Sequence, residues 1–356
     1  MKTLARILVA AVLAIPLLAQ PQQPQPDMTI DAKTRREVID RALSLLDERY
    51  VFPEKAKEMA TAIRAKSGEY ESITSAKELA RKLTDDLQAV TKDKHLRVSY
   101  RSRPIPERDA DAEASPEERK RQDELARITN YGFERVERLQ GNIGYVDLRG
   151  FVDPTVGQGA AGETAAAAMN FLANTDALIF DLRQNGGGSP GMIQLLASYL
   201  YDPLEDGVHL NNFFWRGDDV IRQTWTLPYV PGRRFGSKKP VYVLTGNRTF
   251  SAAEEFTYDL KNLKRATIVG ETTGGGAHPG GGRRINEHFE IWIPMGRAIN
   301  PITKTNWEGT GVTPDVAVAK EDALKTAQLD ALRKLQAAAT DPERKQALGR
   351  TIEGMK

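Results

Sequence analysis

The sequence predicts an α/β core preceded by a small helical domain, and three observations carry that prediction. Residues 143–148, 177–182 and 241–244 are apolar runs of strand length, and each is followed by a stretch with helical character, at 163–172, 191–200 and beyond Ser251. Upstream, apolar residues recur at helical spacing: Val38, Ala42, Leu45 and Leu46, then Met59 and Ile63, then Ala76, Leu79, Ala80, Leu83 and Leu87. Glycine-rich segments at 186–188 and 274–276 follow two of the core runs and supply sharp turns.

Taken in order, residues 1–19 place Lys2 and Arg6 before an apolar stretch at 7–18, the pattern of a cleaved export signal and short for a membrane-spanning helix. Residues 20–28 are a Pro/Gln-rich linker, and 29–98 form the helical domain with a short strand at its end. The interval 99–140 is rich in Arg, Asp, Glu and Pro; it reads as a polar linker or excursion whose end could form an exposed helix. The core follows at 141–320, its last predicted strand at 288–294. A C-terminal helical tail occupies 321–356, with Leu324, Ala327, Ala331, Leu332 and Leu335 on its packed face and order expected to fade beyond Ala339.

The chain of 356 residues can bury a full core. Its formal charge of +2 falls to zero without Lys2 and Arg6, so nothing draws it over long range to nucleic acid. The absence of cysteine excludes a thiol nucleophile, disulfides and lipid attachment at cysteine. Four histidines, His95, His209, His278 and His288, have no close zinc-ligand spacing, so no metal and no cofactor are expected.

Ser251 stands between a buried strand and a helix. There it either caps the helix or serves as a nucleophile beside amides that can hold an oxyanion. The loop DLRQNGGGSPG at 181–191 lacks the spacing of a phosphate loop, but its bare N–H groups could face a cleft. His95, at a helix-to-strand junction, carries the side chain best suited to exchange a proton near neutral pH, and His278 sits in a Gly/Pro loop. Glu254 reads as a carboxylate favoured by the helix dipole, and Glu308 as a carboxylate before a glycine turn. Phe213, Phe214, Trp215 and Trp225 could line a groove or finish an edge of the core.

Four ordered blocks, GNIGYVDLRGF at 141–151, DLRQNGGG at 181–188, TFSAAEEFTYDLKNLKRATIVGETTGGG at 249–276 and EGTGVTPD at 308–315, resemble the tail-specific, or C-terminal-processing, serine peptidase family. The closer likeness is to its branch with the interphotoreceptor-retinoid-binding-protein repeats and the tricorn protease core. That resemblance implies a ββα core related to crotonase and Clp-protease folds and a polypeptide substrate. It implies Ser251 as nucleophile, with Ala252 and Gly187 as oxyanion donors and Gly188 as the alternative for the latter. One branch of the family uses a lysine as base, and its place in this chain is Gly276. The tricorn-like branch instead uses an upstream histidine and a downstream glutamate, which fall on His95 and Glu308; His278 stays open as the base. A serine precedes that histidine in the branch, where this chain has Lys94.

The interval 101–140 is too short for the PDZ module that many members carry, so substrate recognition would use the cleft itself, for instance by adding an extended peptide to a sheet edge. The expected function is a serine endopeptidase acting on unfolded or extended polypeptides through an acyl-enzyme, exported to the periplasm or beyond. The alternative is a non-enzymatic hydrophobic-ligand or peptide-binding protein like the retinoid-binding branch.

Overall fold

A computed structural model describes residues 25–107, 114–203 and 206–355; the expected export signal lies outside them. The first unit comprises helices α1 (Ala32–Arg49), α2 (Pro53–Ala65), α3 (Ser67–Glu71) and α4 (Ala76–Thr91), followed by strand β1 (Arg97–Tyr100). Asp31 caps α1 through Thr34 N–H and Ser75 caps α4 through Glu78 N–H, each satisfying a backbone donor that the helix start leaves free. The chain leaves α4 at Lys92, whose left-handed conformation (φ 59) turns it sharply toward β1.

After α5 (Pro116–Ile128) comes a six-stranded sheet, built from β2 (Phe133–Leu139), β3 (Ile143–Leu148), β4 (Ala177–Asp181), β7 (Val241–Thr245), β8 (Thr267–Gly270) and β12 (Val316–Ala317). Its spatial order is β12-β8-β7-β4-β3-β2, parallel throughout except for β2. The crossovers carry α6 (Ala160–Leu172), α7 (Pro190–Tyr199) and α8 (Ala252–Asn262). These helices cover one face, where Val146, Leu178, Phe180, Val243 and Ile268 point. Alternate residues, Ile143, Tyr145, Ile179, Tyr242 and Leu244, meet α9 (Ala323–Ala338) and α10 (Pro342–Met355) on the other. A sheet covered on both faces needs strands apolar at every position, which is why 143–148, 177–181 and 241–245 read as continuous runs.

Two sequence expectations change. Residues 133–139, assigned to the polar excursion, form β2 and close one edge of the main sheet; only its inner face packs, so charged Glu134, Arg135, Glu137 and Arg138 mask the strand. Beyond Ala339 the chain forms α10, which buries Leu348 and Ile352 against the α9 side of the core.

Two smaller sheets complete the molecule. One has the order β11-β5-β6, from β5 (His209–Trp215), β6 (Val220–Trp225) and β11 (Gly296–Ile299). Phe213 packs there with Trp307, Ala277 and Ala298 in a satellite core, whereas Trp225 is partly exposed and stacks on His209 at 4.2 Å. The other, β1-β10-β9, joins β1 to β9 (Gly280–Arg284) and β10 (Phe289–Pro294). Through it Ile285, Phe289, Ile291 and Ile293 enter the core of the N-terminal helices. The helical unit is therefore completed by residues almost two hundred positions downstream of it. Phe289→Ala removes a fully buried ring from that shared core and is expected to cost about 3–5 kcal/mol in chemical denaturation. Faster amide exchange should appear across α1–α4; unchanged exchange there would contradict the shared core.

Candidate active site

The site forms at the carboxyl ends of two neighbouring parallel strands, where an open α/β sheet leaves a crevice. The glycine loop follows β4 and Ser251 follows β7. They are stitched together: Phe250 N–H donates to the Asn185 carbonyl at 3.0 Å, and Thr249 Oγ1 to the Leu182 carbonyl at 2.8 Å. Ser251 occupies the N-cap of α8 with φ 56 and ψ −122. An ordinary cap lies in the extended region, so this conformation is strain that capping does not require.

Glu254 holds the strained residue in place. Its fully buried carboxylate accepts Ser251 N–H at 2.9 Å, Thr273 Oγ1 at 2.5 Å, Gly275 N–H at 2.6 Å and Gly276 N–H at 2.8 Å. Burial raises its pKa against the pull of those four donors. The sequence shows only a carboxylate at a helix start, because three of the four donors lie about twenty residues downstream.

Gly187 has φ +108 and lies against the serine: a Cβ there would stand 2.8 Å from Ser251 Cβ and 3.1 Å from the Ala252 nitrogen. Its N–H is spent on Asn185 Oδ1 at 2.9 Å. The N–H groups of Gly188 and Ala252 have no acceptor among the described residues. Gly188 cannot carry a side chain, since a Cβ would fall 2.1 Å from the Phe151 carbonyl oxygen.

His95 comes from the N-terminal unit, in the turn between α4 and β1. Its ring is buried and packs on Phe250 with centroids 4.7 Å apart, one residue before Ser251. The structure forms no hydrogen bond between His95 and Ser251, and His95 Nδ1 is buried without a partner; such contacts are often loose in unliganded enzymes. Burial lowers the pKa to about 4, with Asp93 opposing and His278 reinforcing that shift, so the imidazole is neutral near pH 7. Gly276, at the place of the alternative lysine, leaves room for this ring: a Cβ there would be 2.8 Å from His95 Cε1. Lys94 donates its ammonium to the Gly274 carbonyl and ties the His95 turn to the same loop.

Glu308 does not meet His95. Its Oε2 accepts Ala277 N–H at 2.5 Å and lies 3.5 Å from His278 Nδ1, while Oε1 is buried and unpartnered. Burial pushes its pKa up to about 7; Asp93 adds to the rise and His278 opposes it. His278 Nδ1 lies 2.8 Å from Asp93 Oδ2, so the structure brings Asp93, His278 and Glu308 together. Their three ligand atoms lie within 4.8 Å of one another. The His278–Asp93 separation is a hydrogen bond, shorter than the roughly 3.3 Å between two donors on a tetrahedral zinc ion. His209 and His288 lie elsewhere, bonded to Asn212 Oδ1 and the Arg101 carbonyl.

A serine on a strained strand-to-helix turn, beside free amides and next in the chain to a phenylalanine that packs on a neutral buried imidazole, suits acyl transfer and fits a hydrolase of the serine class. The chain belongs to peptidase family S41: the model of that family matches residues 142–318, and the model of the N-terminal domain of S41 peptidases in eukaryotic IRBP matches 31–134. It is accordingly a serine peptidase. Three solved structures share its fold. A candidate peptidase from Parabacteroides merdae is 22% identical with a TM-score of 0.57, over 86% of this chain and 99% of that one. A lipoprotein from Streptococcus agalactiae is 15% identical with a TM-score of 0.54, over 85% and 96%. Mature CPAF is 13% identical with a TM-score of 0.57, over 90% and 99%.

Behind Ser251, α8 buries two further carboxylates one turn apart, Glu255 and Asp259. Asn211 Nδ2 donates to Glu255 at 3.3 Å and Asn300 Nδ2 to Asp259 at 3.4 Å, while Asp259 Oδ2 has no partner. Burial pushes Glu255 up to about 8 and raises Asp259 well above its ordinary value. The folded state thus binds protons that the unfolded chain releases above its carboxylate pKa. This contribution to stability therefore falls as pH rises from about 5 to about 9. Chemical denaturation across that range should show the decline, and the double variant Glu255→Gln, Asp259→Asn should flatten it. An unchanged slope would mean that the pair is not protonated in the fold.

Proposed function

We propose that the chain is an endopeptidase acting on unfolded or extended polypeptides, with Ser251 as nucleophile and His95 as general base. The observation that carries this reading is the strained Ser251 beside both the Gly187 backbone and the His95–Phe250 contact. Neutral His95 takes the Ser251 proton as Oγ attacks the scissile carbonyl, then returns it to the leaving amine. Water, deprotonated by the same imidazole, releases the acyl group. The oxyanion is held by the Ala252 amide at the positive end of α8 and by the glycine loop, where Gly188 offers the unspent N–H and Gly187 keeps the approach open. Glu308 belongs to the charge network around His278 rather than to His95 itself.

The kinship of the core with crotonase and Clp-protease folds is supported by its parallel strands, each of the central ones followed by a helix on one face. Export is supported by the basic and apolar pattern of residues 1–19. No helix among the described residues is long and apolar enough to cross a membrane.

Casein digestion by the purified chain, run beside Ser251→Ala and His95→Ala, tests the assignment. Each variant should lose at least about a thousandfold in kcat/KM while keeping its fold. A serine-reactive phosphonate should label Ser251 in the unsubstituted protein. Full activity in Ser251→Ala, or labelling at another serine, would overturn the reading.

A further inference from the structure

Asp93 is fully buried, and its carboxylate joins the N-terminal unit to a loop of the core. Oδ1 accepts the His95 backbone N–H at 3.1 Å; Oδ2 accepts the Tyr50 hydroxyl at 3.2 Å and faces His278 Nδ1 at 2.8 Å. Tyr50, Asp93 and His95 belong to the N-terminal unit, whereas His278 and Glu308 lie on loops of the core. His278 Nδ1 thus faces two carboxylates, one from each side of that boundary, with Phe52 against the ring edge-on at 5.3 Å.

We infer that Asp93 is a positioning residue that, held by Tyr50 and His278, sets through the His95 backbone N–H where His95 stands relative to Ser251, and that Glu308 influences catalysis through the same cluster. This rests on the assignment of Ser251 and His95 above. Displacing the base by even 1 Å can cost about a hundredfold in rate, so a carboxylate two residues from the base has leverage without touching substrate. The groups facing Glu308 are Asp93 and Tyr50 from the N-terminal unit, His278 from its loop and Glu254 from α8.

The test is the pH dependence of kcat and kcat/KM for a fluorogenic peptide, measured on Asp93→Asn, Asp93→Glu, His278→Gln and Glu308→Gln. Asp93→Asn should lower kcat by roughly ten- to a hundredfold with KM little changed. The midpoint near neutrality that belongs to Glu308 should move down in Asp93→Asn, where a negative neighbour is lost. It should move up in His278→Gln, where the neighbour that holds it down is lost, and vanish in Glu308→Gln. Asp93→Glu keeps the charge but not the reach, so it should keep the unsubstituted midpoint and still lose kcat; it also serves if Asp93→Asn fails to fold. Unsubstituted kcat in a folded Asp93 variant, or midpoints of Asp93→Asn and His278→Gln that stay put or move in the same direction, would overturn the inference. Failure of the nucleophile assignment would show separately, as activity retained in Ser251→Ala.

Discussion

The site depends on one buried carboxylate. Glu254 takes the N–H of a residue whose backbone conformation costs on the order of 1–3 kcal/mol, and it spends its remaining capacity on the 273–276 loop. Hydrogen bonds to a charged group contribute about 1.5–3 kcal/mol each, so four of them offset both the strain and much of the cost of burying the charge. The arrangement also fixes the loop wall against which His95 lies. The Ser251 backbone and the space for the His95 ring are therefore set by the same side chain.

Along α8 the helix treats its acids differently. Glu254, at the first turn, is surrounded by donors. Glu255 and Asp259, facing the opposite interior, have one amide each. Neighbouring positions on one helix thus hold a carboxylate with four hydrogen-bond donors and a proton-retaining pair, and the difference lies in what the surrounding loops supply rather than in the helix.

The α/β core was legible because its strands are apolar on both faces, as at 143–148 and 241–245, and because α6 to α8 repeat between them. The second strand of the chain was hidden by its charged outer face, and α10 by having only Leu348 and Ile352 to bury. In the site, local setting left the roles of Ser251, His95 and the glycine loop open, and the ordered blocks of the family resemblance singled them out. The pairing of Asp93 with His278 had no such signal. One is an acid in a charged turn and the other an imidazole in a Gly/Pro loop, and their meaning comes from a contact across 185 positions. The offset of Glu308 from His95 was equally invisible, since it depends on which way two loops turn.

The pairing of β1 with β10 has a consequence for the timing of activity in the life of the chain. The turn bearing His95 is made early, but its supporting hydrophobic core is finished by Ile285 to Ile293, and the other half of its charge network by His278 and Glu308. A chain emerging in order from its N-terminus holds His95 without that support until nearly the whole core has appeared. Such long-range closure is slow, because loop entropy must be overcome before the contacts form. The site is therefore complete only when the chain that carries it is no longer unfolded.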